Sequence, residues 1–133
     1  MNRVFADSYF FFAILNPHDA AHEKAIAAAH RHRGPLVTTA WVLTEVADGL
    51  ANTPHRKIFR RLLDDLESNK TSLVVPANSE TFEKGVELYH ARPDEPWSLT
   101  DCISFVVMQE ENVTEALTGD RHFEQAGFTA LLK

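Results

Sequence analysis

Two aspartates stand where charge is least expected. Between Val4 and Leu15 the one charged residue is Asp7, and between Trp97 and Gln109 it is Asp101, each among large apolar or aromatic neighbours. A buried carboxylate without a partner is costly, so such a group acquires a cation, acquires hydrogen-bond donors or becomes protonated. Taken singly, each acid has an ordinary explanation. Asp7 can accept a backbone N–H as the cap of a following helix, and Ser98-Leu99-Thr100-Asp101 has the form of a capping box. Glu45 alone reads as a solvated helix position, and Thr118-Gly119-Asp120 as a turn.

Taken together, Asp7, Glu45, Asp101 and Asp120 suggest chemistry. Two ionised carboxylates about 4 Å apart repel by roughly 4 kcal/mol at an effective dielectric of about 20. A cluster of such groups therefore demands a divalent cation or shifted pKa values. Hard oxygen ligands, with no cysteine or histidine cluster beside them, favour Mg²⁺ or Mn²⁺ over zinc. An ion of this kind lowers the pKa of water, orients a scissile phosphate and stabilises charge on a leaving oxygen, with no protein nucleophile needed.

The acids must be brought together by the elements that carry them. Arg3 to Ala6 reads as a short buried strand, Tyr9 to Leu15 as a helix stopped at Asn16-Pro17, and Asp19 to His32 as a second helix stopped at Gly34-Pro35. Leu36 to Thr38 follows as a strand. Thr39 then caps a third helix with Val42, Leu43, Val46, Ala47 and Leu50 on one face and Glu45 outside it beside Trp41. Pro54 can open a fourth helix, with Ile58, Phe59, Leu62, Leu63 and Leu66 on its apolar side. Ser72 to Val75 makes a third strand, Ser79 to Arg92 a fifth helix, and Ser98 to about Glu111 the most apolar helix. Glu115 to Thr118 reads as a fourth strand and Thr129 to Leu132 as a possible fifth.

Strands alternating with helices predict an α/β fold with a mainly parallel sheet of four to five strands and helices on both faces. In such sheets the ligand crevice lies beyond the carboxyl ends of the strands. Asp7 and Asp120 follow strands, Asp101 opens a helix and Glu45 lies near the second turn of the helix after the second strand, so all four can share that edge.

At these residues the sequence resembles the PIN-domain family and, within it, the VapC-like toxins of bacterial toxin-antitoxin systems. The resemblance runs nearly end to end. Val4-Phe5-Ala6-Asp7-Ser8 is similar to the family's opening strand and first acid, and Thr38 to Glu45 to the segment carrying its glutamate. Ser98 to Phe105, and Ala116 to Phe123 followed by Gly127-Phe128, resemble the third and fourth acidic motifs in order and spacing. The resemblance implies a PIN-like three-layer α/β/α sandwich and metal-dependent endonucleolytic cleavage of RNA. Asp7, Glu45, Asp101 and Asp120 would hold Mg²⁺ or Mn²⁺, with Ser8, Thr100 and Thr118 as supporting hydroxyls. It also implies a homodimer and a small antitoxin that blocks the site.

Composition bounds these readings. The 133 residues fit one domain spanning 1–133, and 44% hydrophobic with 24% charged residues is ordinary for a folded soluble chain. The apolar run Tyr9 to Leu15 is too short for a bilayer, and Asp7 interrupts the first apolar segment, so neither a membrane span nor an export signal is expected. The single cysteine, Cys102, excludes an intrachain disulfide and permits a reducing cytoplasm. A net charge of -6 argues against coating nucleic acid by unspecific attraction, although bound metal would offset part of it.

Other features read as ordinary surface or core. His18 and His22 are four apart but lack a following glutamate and a third ligand. The basic stretches His30 to Arg33 and Arg56 to Arg61, with Arg121, suit solvated faces or phosphate contacts, and Trp41, Trp97 and Tyr9 suit a core or base stacking. A phospho-acceptor signalling domain would want an aspartate after the third strand, where Val74-Val75-Pro76 stands instead. A PIN-like protein-binding scaffold is disfavoured by four mutually repelling acids. A PIN nuclease in RNA processing, or one acting on DNA, differs only in substrate.

Overall fold

The computed structural model describes residues 2–52 and 54–133. The first half runs β1 (Val4–Ala6), α1 (Ser8–Leu15), α2 (His22–Arg31), β2 (Leu36–Thr39), α3 (Ala40–Gly49) and α4 (Arg56–Ser68). The second runs β3 (Leu73–Val75), α5 (Ser79–Ala91), α6 (Leu99–Glu110), β4 (Glu115–Leu117), α7 (Arg121–Gln125) and β5 (Thr129–Ala130). The five strands form one sheet in the order β3-β2-β1-β4-β5, and all four pairings are parallel.

Parallel neighbours need crossovers, and crossovers are right-handed, so the direction of travel decides the face. The chain steps from β1 to β2 to β3 in one direction and puts α1 to α4 on one side. It then jumps back across β1 to β4 and β5, which puts α5 to α7 on the other. The result is the expected three-layer α/β/α sandwich. The reversal falls between β1 and β4, and beyond their carboxyl ends lies the crevice such sheets use for ligands.

Helix ends follow local chemistry. The Thr39 side chain accepts from the Val42 N–H at 3.1 Å, and Ser98 and Asp101 form a reciprocal capping box at the start of α6. Helix α2 begins at His22 rather than Asp19. The Asp19 carboxylate accepts from the Ala21 N–H at 2.8 Å and its carbonyl from the His22 N–H at 3.0 Å, so the intervening residues are spent in turns. Helix α4 begins at Arg56, leaving Pro54 in the preceding turn. The short α7 was not foreseen; Asp120 caps it by accepting from the His122 N–H at 2.9 Å.

The core sits on both faces of β1. Phe5 is fully buried against Phe123, and Phe105 meets Trp97 and Phe123 edge-on at 5.1 and 5.0 Å between centroids. Trp97 is therefore core, with Arg92 over its ring at 5.1 Å. Helices α5 and α6 pack extensively against each other, and Gly85 is what lets them approach. A Cβ there would run into the Ile103 side chain and lie 3.3 Å from the Ile103 Cα, so the backbone itself is in the way. Gly85→Ala is expected to cost about 2 kcal/mol by overpacking. Urea unfolding should show the midpoint falling with an unchanged slope.

Among the described residues, no helix is long and apolar enough to cross a membrane.

Candidate active site

Asp7 ends β1 and opens α1, where its carbonyl accepts the Phe10 and Phe11 N–H groups at 3.0 and 3.3 Å. Its side chain makes no N-cap hydrogen bond within the helix. The carboxylate instead turns toward the neighbouring strand, where the Thr118 hydroxyl donates to Asp7 Oδ2 at 3.1 Å. With 5% exposure, Asp7 is buried. Burial above all pushes its pKa up to about 7, helped by repulsion from Asp101 and Glu45, against the favourable Ser8 N–H and Thr118 hydroxyl.

Glu45 reaches the same region from α3. Its pKa is also raised, first by desolvation and then by Asp101 and Asp48, while the Ser8 hydroxyl favours its charged form. The two acids that feel Asp101 are thus Asp7 and Glu45, placed by β1 and α3. Asp101 both belongs to the capping box of α6 and reaches His122. Its backbone N–H donates to Ser98 Oγ at 3.0 Å, and its Oδ2 lies 2.9 Å from His122 Nδ1.

Asp120 sits in the β4–α7 connection. Its N–H donates to Thr118 Oγ1 at 3.1 Å, so one hydroxyl orders both Asp7 and Asp120. Asp120 Oδ1 lies 3.5 Å from His122 Nδ1. One potential ligand atom from each of Asp101, Asp120 and His122 falls within 4.8 Å of the others. Asp7 and Glu45 stand outside that tight group but are coupled to it through Asp101.

The structure therefore brings together all four expected acids and two of the three expected hydroxyls. Thr100 is the exception, since its hydroxyl makes no hydrogen bond among the described residues. The residue that sequence reasoning did not single out is His122. Its signal was the Asp120-Arg121-His122-Phe123 stretch. Had that stretch been read as a helix start, His122 would have fallen in the first turn beside the acid that caps it. His18 and His22 lie elsewhere, with His22 Nδ1 2.7 Å from the Ala13 carbonyl oxygen.

A divalent cation suits this donor set. Among the described residues, no lysine or arginine pairs with any of the four acids. A buried carboxylate with a raised pKa, facing two more acids, is a site whose charge lacks compensation. Oxygen donors from carboxylates fit Mg²⁺ or Mn²⁺, and one imidazole beside them suits Mn²⁺ better than Mg²⁺.

The sequence matches the PIN domain family over residues 4–129. No curated protein matches by sequence. Among solved structures, the fold is similar to VapC20 of Mycobacterium tuberculosis, described as a sarcin-ricin loop cleaving toxin. The TM-score is 0.84 at 22% identity, covering 95% of this chain and 96% of that one. It is also similar to FitAcB from Neisseria gonorrhoeae, with a TM-score of 0.68 at 14% identity, covering 96% of this chain and 94% of that one.

Proposed function

This chain belongs to the PIN domain family, and we propose that it is a metal-dependent endoribonuclease in which Asp7, Glu45, Asp101 and Asp120 hold Mg²⁺ or Mn²⁺. The observation that carries the proposal is the uncompensated cluster at the sheet's reversal point, with Asp7 buried and its pKa raised to about 7. Bound there, a divalent ion would activate water and neutralise charge on the scissile phosphate.

The chain's own residues perform the positioning. Thr118 fixes the Asp7 carboxylate and the Asp120 backbone together, and Ser8 supports Glu45. His122 braces Asp101. Its Nδ1 lies 2.9 Å from Asp101 Oδ2, a hydrogen bond that orients the carboxylate. Partners of metal-holding carboxylates that orient them are typically worth ten- to a hundredfold in metal affinity. His122→Ala is accordingly expected to weaken Mn²⁺ binding at least about tenfold, read by calorimetry, with little change in thermal stability of the metal-free protein.

Support for RNA as substrate, and for the role of toxin paired with a small antitoxin, is the likeness in fold to VapC20 together with the motif resemblance. On this reading the 133 residues are one PIN domain acting as a homodimer in the cytoplasm. The test is incubation of the purified protein, freed of any antitoxin, with panels of RNA and single-stranded DNA in Mg²⁺, Mn²⁺ or EDTA. RNA cut in metal and spared in EDTA is the expected result. Preferential cutting of DNA would reassign the substrate, and no cutting with no metal bound would leave a protein-binding scaffold.

A further inference from the structure

We infer that Tyr9 is a stacking platform for an unpaired nucleobase beside the scissile phosphate; this rests on the nuclease reading above and adds a recognition residue to it. Tyr9 lies in the first turn of α1, two residues after Asp7, and is one of three large hydrophobic side chains left exposed among the described residues, at 38%. Its ring meets the β4–α7 connection that carries Asp120. A Cβ placed on Gly119 would lie 2.6 Å from both Cζ and the hydroxyl oxygen of Tyr9, so the phenol end rests directly on that glycine.

Gly119 separates Thr118, which donates to Asp7, from Asp120. The ring thus rests on the residue that joins these two, and any side chain at Gly119 would collide with it. Nothing in the fold's interior explains this placement. The hydroxyl makes no hydrogen bond among the described residues, and the ring takes part in none of the aromatic pairs that fill the core. An aromatic face that is half open and beside the segments carrying a phosphate-handling site is the feature single-stranded RNA recognition uses, because every base offers a π-face.

A cation stands close by for the backbone. Arg121 is exposed at the start of α7, one residue from Asp120, and forms no ion pair among the described residues. Gly119, on which the ring rests, and Arg121 flank Asp120 in the chain, so a stacking surface and a cation sit one residue to either side of it, the pairing that single-strand grooves combine. In a protein with a net charge of -6, such local elements supply what overall charge does not.

The test measures binding of a fluorescent, mixed-sequence single-stranded RNA 12-mer by anisotropy, with Ca²⁺ replacing Mg²⁺ so that binding is read without cleavage. The wild-type chain is compared with Tyr9→Leu and Tyr9→Phe at several salt concentrations. Expected are binding by Tyr9→Phe within about twofold of wild type, and binding by Tyr9→Leu weaker by about tenfold or more. The salt slope should not change in either variant, because stacking releases no counterions. Thermal melts check folding, and Tyr9→Gln replaces the leucine variant if that one does not fold. Equal binding by Tyr9→Leu and wild type would overturn the stacking role and leave the nuclease reading standing. Equal weakening in Tyr9→Phe and Tyr9→Leu would overturn it in favour of a hydroxyl contact. Failure of the wild-type chain to bind the RNA at all would overturn both.

Discussion

Replacing Asp7 by asparagine is expected to make the protein more stable at pH 8 and to remove RNA cleavage. The carboxyl's folded pKa of about 7 lies above its ordinary value of 3.8, so between these pH values the native state keeps a proton that the unfolded chain releases. Stability must then fall as pH rises from about 4 to about 7 and stay low above that window. The full penalty is on the order of 4 kcal/mol. Asparagine keeps an acceptor for the Thr118 hydroxyl but brings an amide N–H pair that needs partners, so a net gain of about 2 kcal/mol at pH 8 is expected. Urea unfolding from pH 4 to pH 8 checks this. The wild-type chain should lose stability across the window while the variant loses much less, its residual slope coming from Glu45, whose shift has the same direction. Cleavage should drop about a thousandfold or more, since a catalytic electrostatic contact alone is worth about 100- to 1,000-fold.

The second large effect concerns metal. If the four acids hold a divalent ion, the ion binds the native state and not the unfolded chain. At a concentration a hundred times its dissociation constant it stabilises by about 2.7 kcal/mol. For a domain of this size that is about ten degrees in the melting midpoint. Mn²⁺ added at pH 8 is expected to raise the midpoint by that order, EDTA to reverse it, and Asp101→Asn combined with Asp120→Asn to abolish the response. The metal should also flatten the pH dependence, because it supplies the charge compensation that Asp7 otherwise obtains by holding a proton.

Much of this was legible in the sequence, for identifiable reasons. Asp7 and Asp101 stood out because charge inside an apolar run is expensive, and the parallel sheet followed from the alternation of strands and helices. Thr39 announced the start of α3 because a capping side chain acts locally. Glu45 was less legible from residues alone. A lone glutamate on a helix looks solvated, and only its position after β2 and the family resemblance drew it in. Helix α7 was missed because five residues carry too little periodicity to register, and His122 was overlooked with it. The later start of α2 hinged on one Asp19 carboxylate choosing a turn over a helix cap. Tyr9 could not be separated from core aromatics by sequence, since its contact with Gly119 joins residues far apart in the chain.

On the reading proposed above, the four carboxylates act as one metal-holding unit for RNA cleavage. Its most direct test is the rate of cutting of an end-labelled RNA as a function of Mn²⁺ concentration, for the wild-type chain and Asp101→Asn prepared side by side. A saturable, EDTA-sensitive rate is expected for the wild type and none for the variant at any Mn²⁺ concentration. Equal rates for the two proteins, or cutting that persists in EDTA, would contradict it.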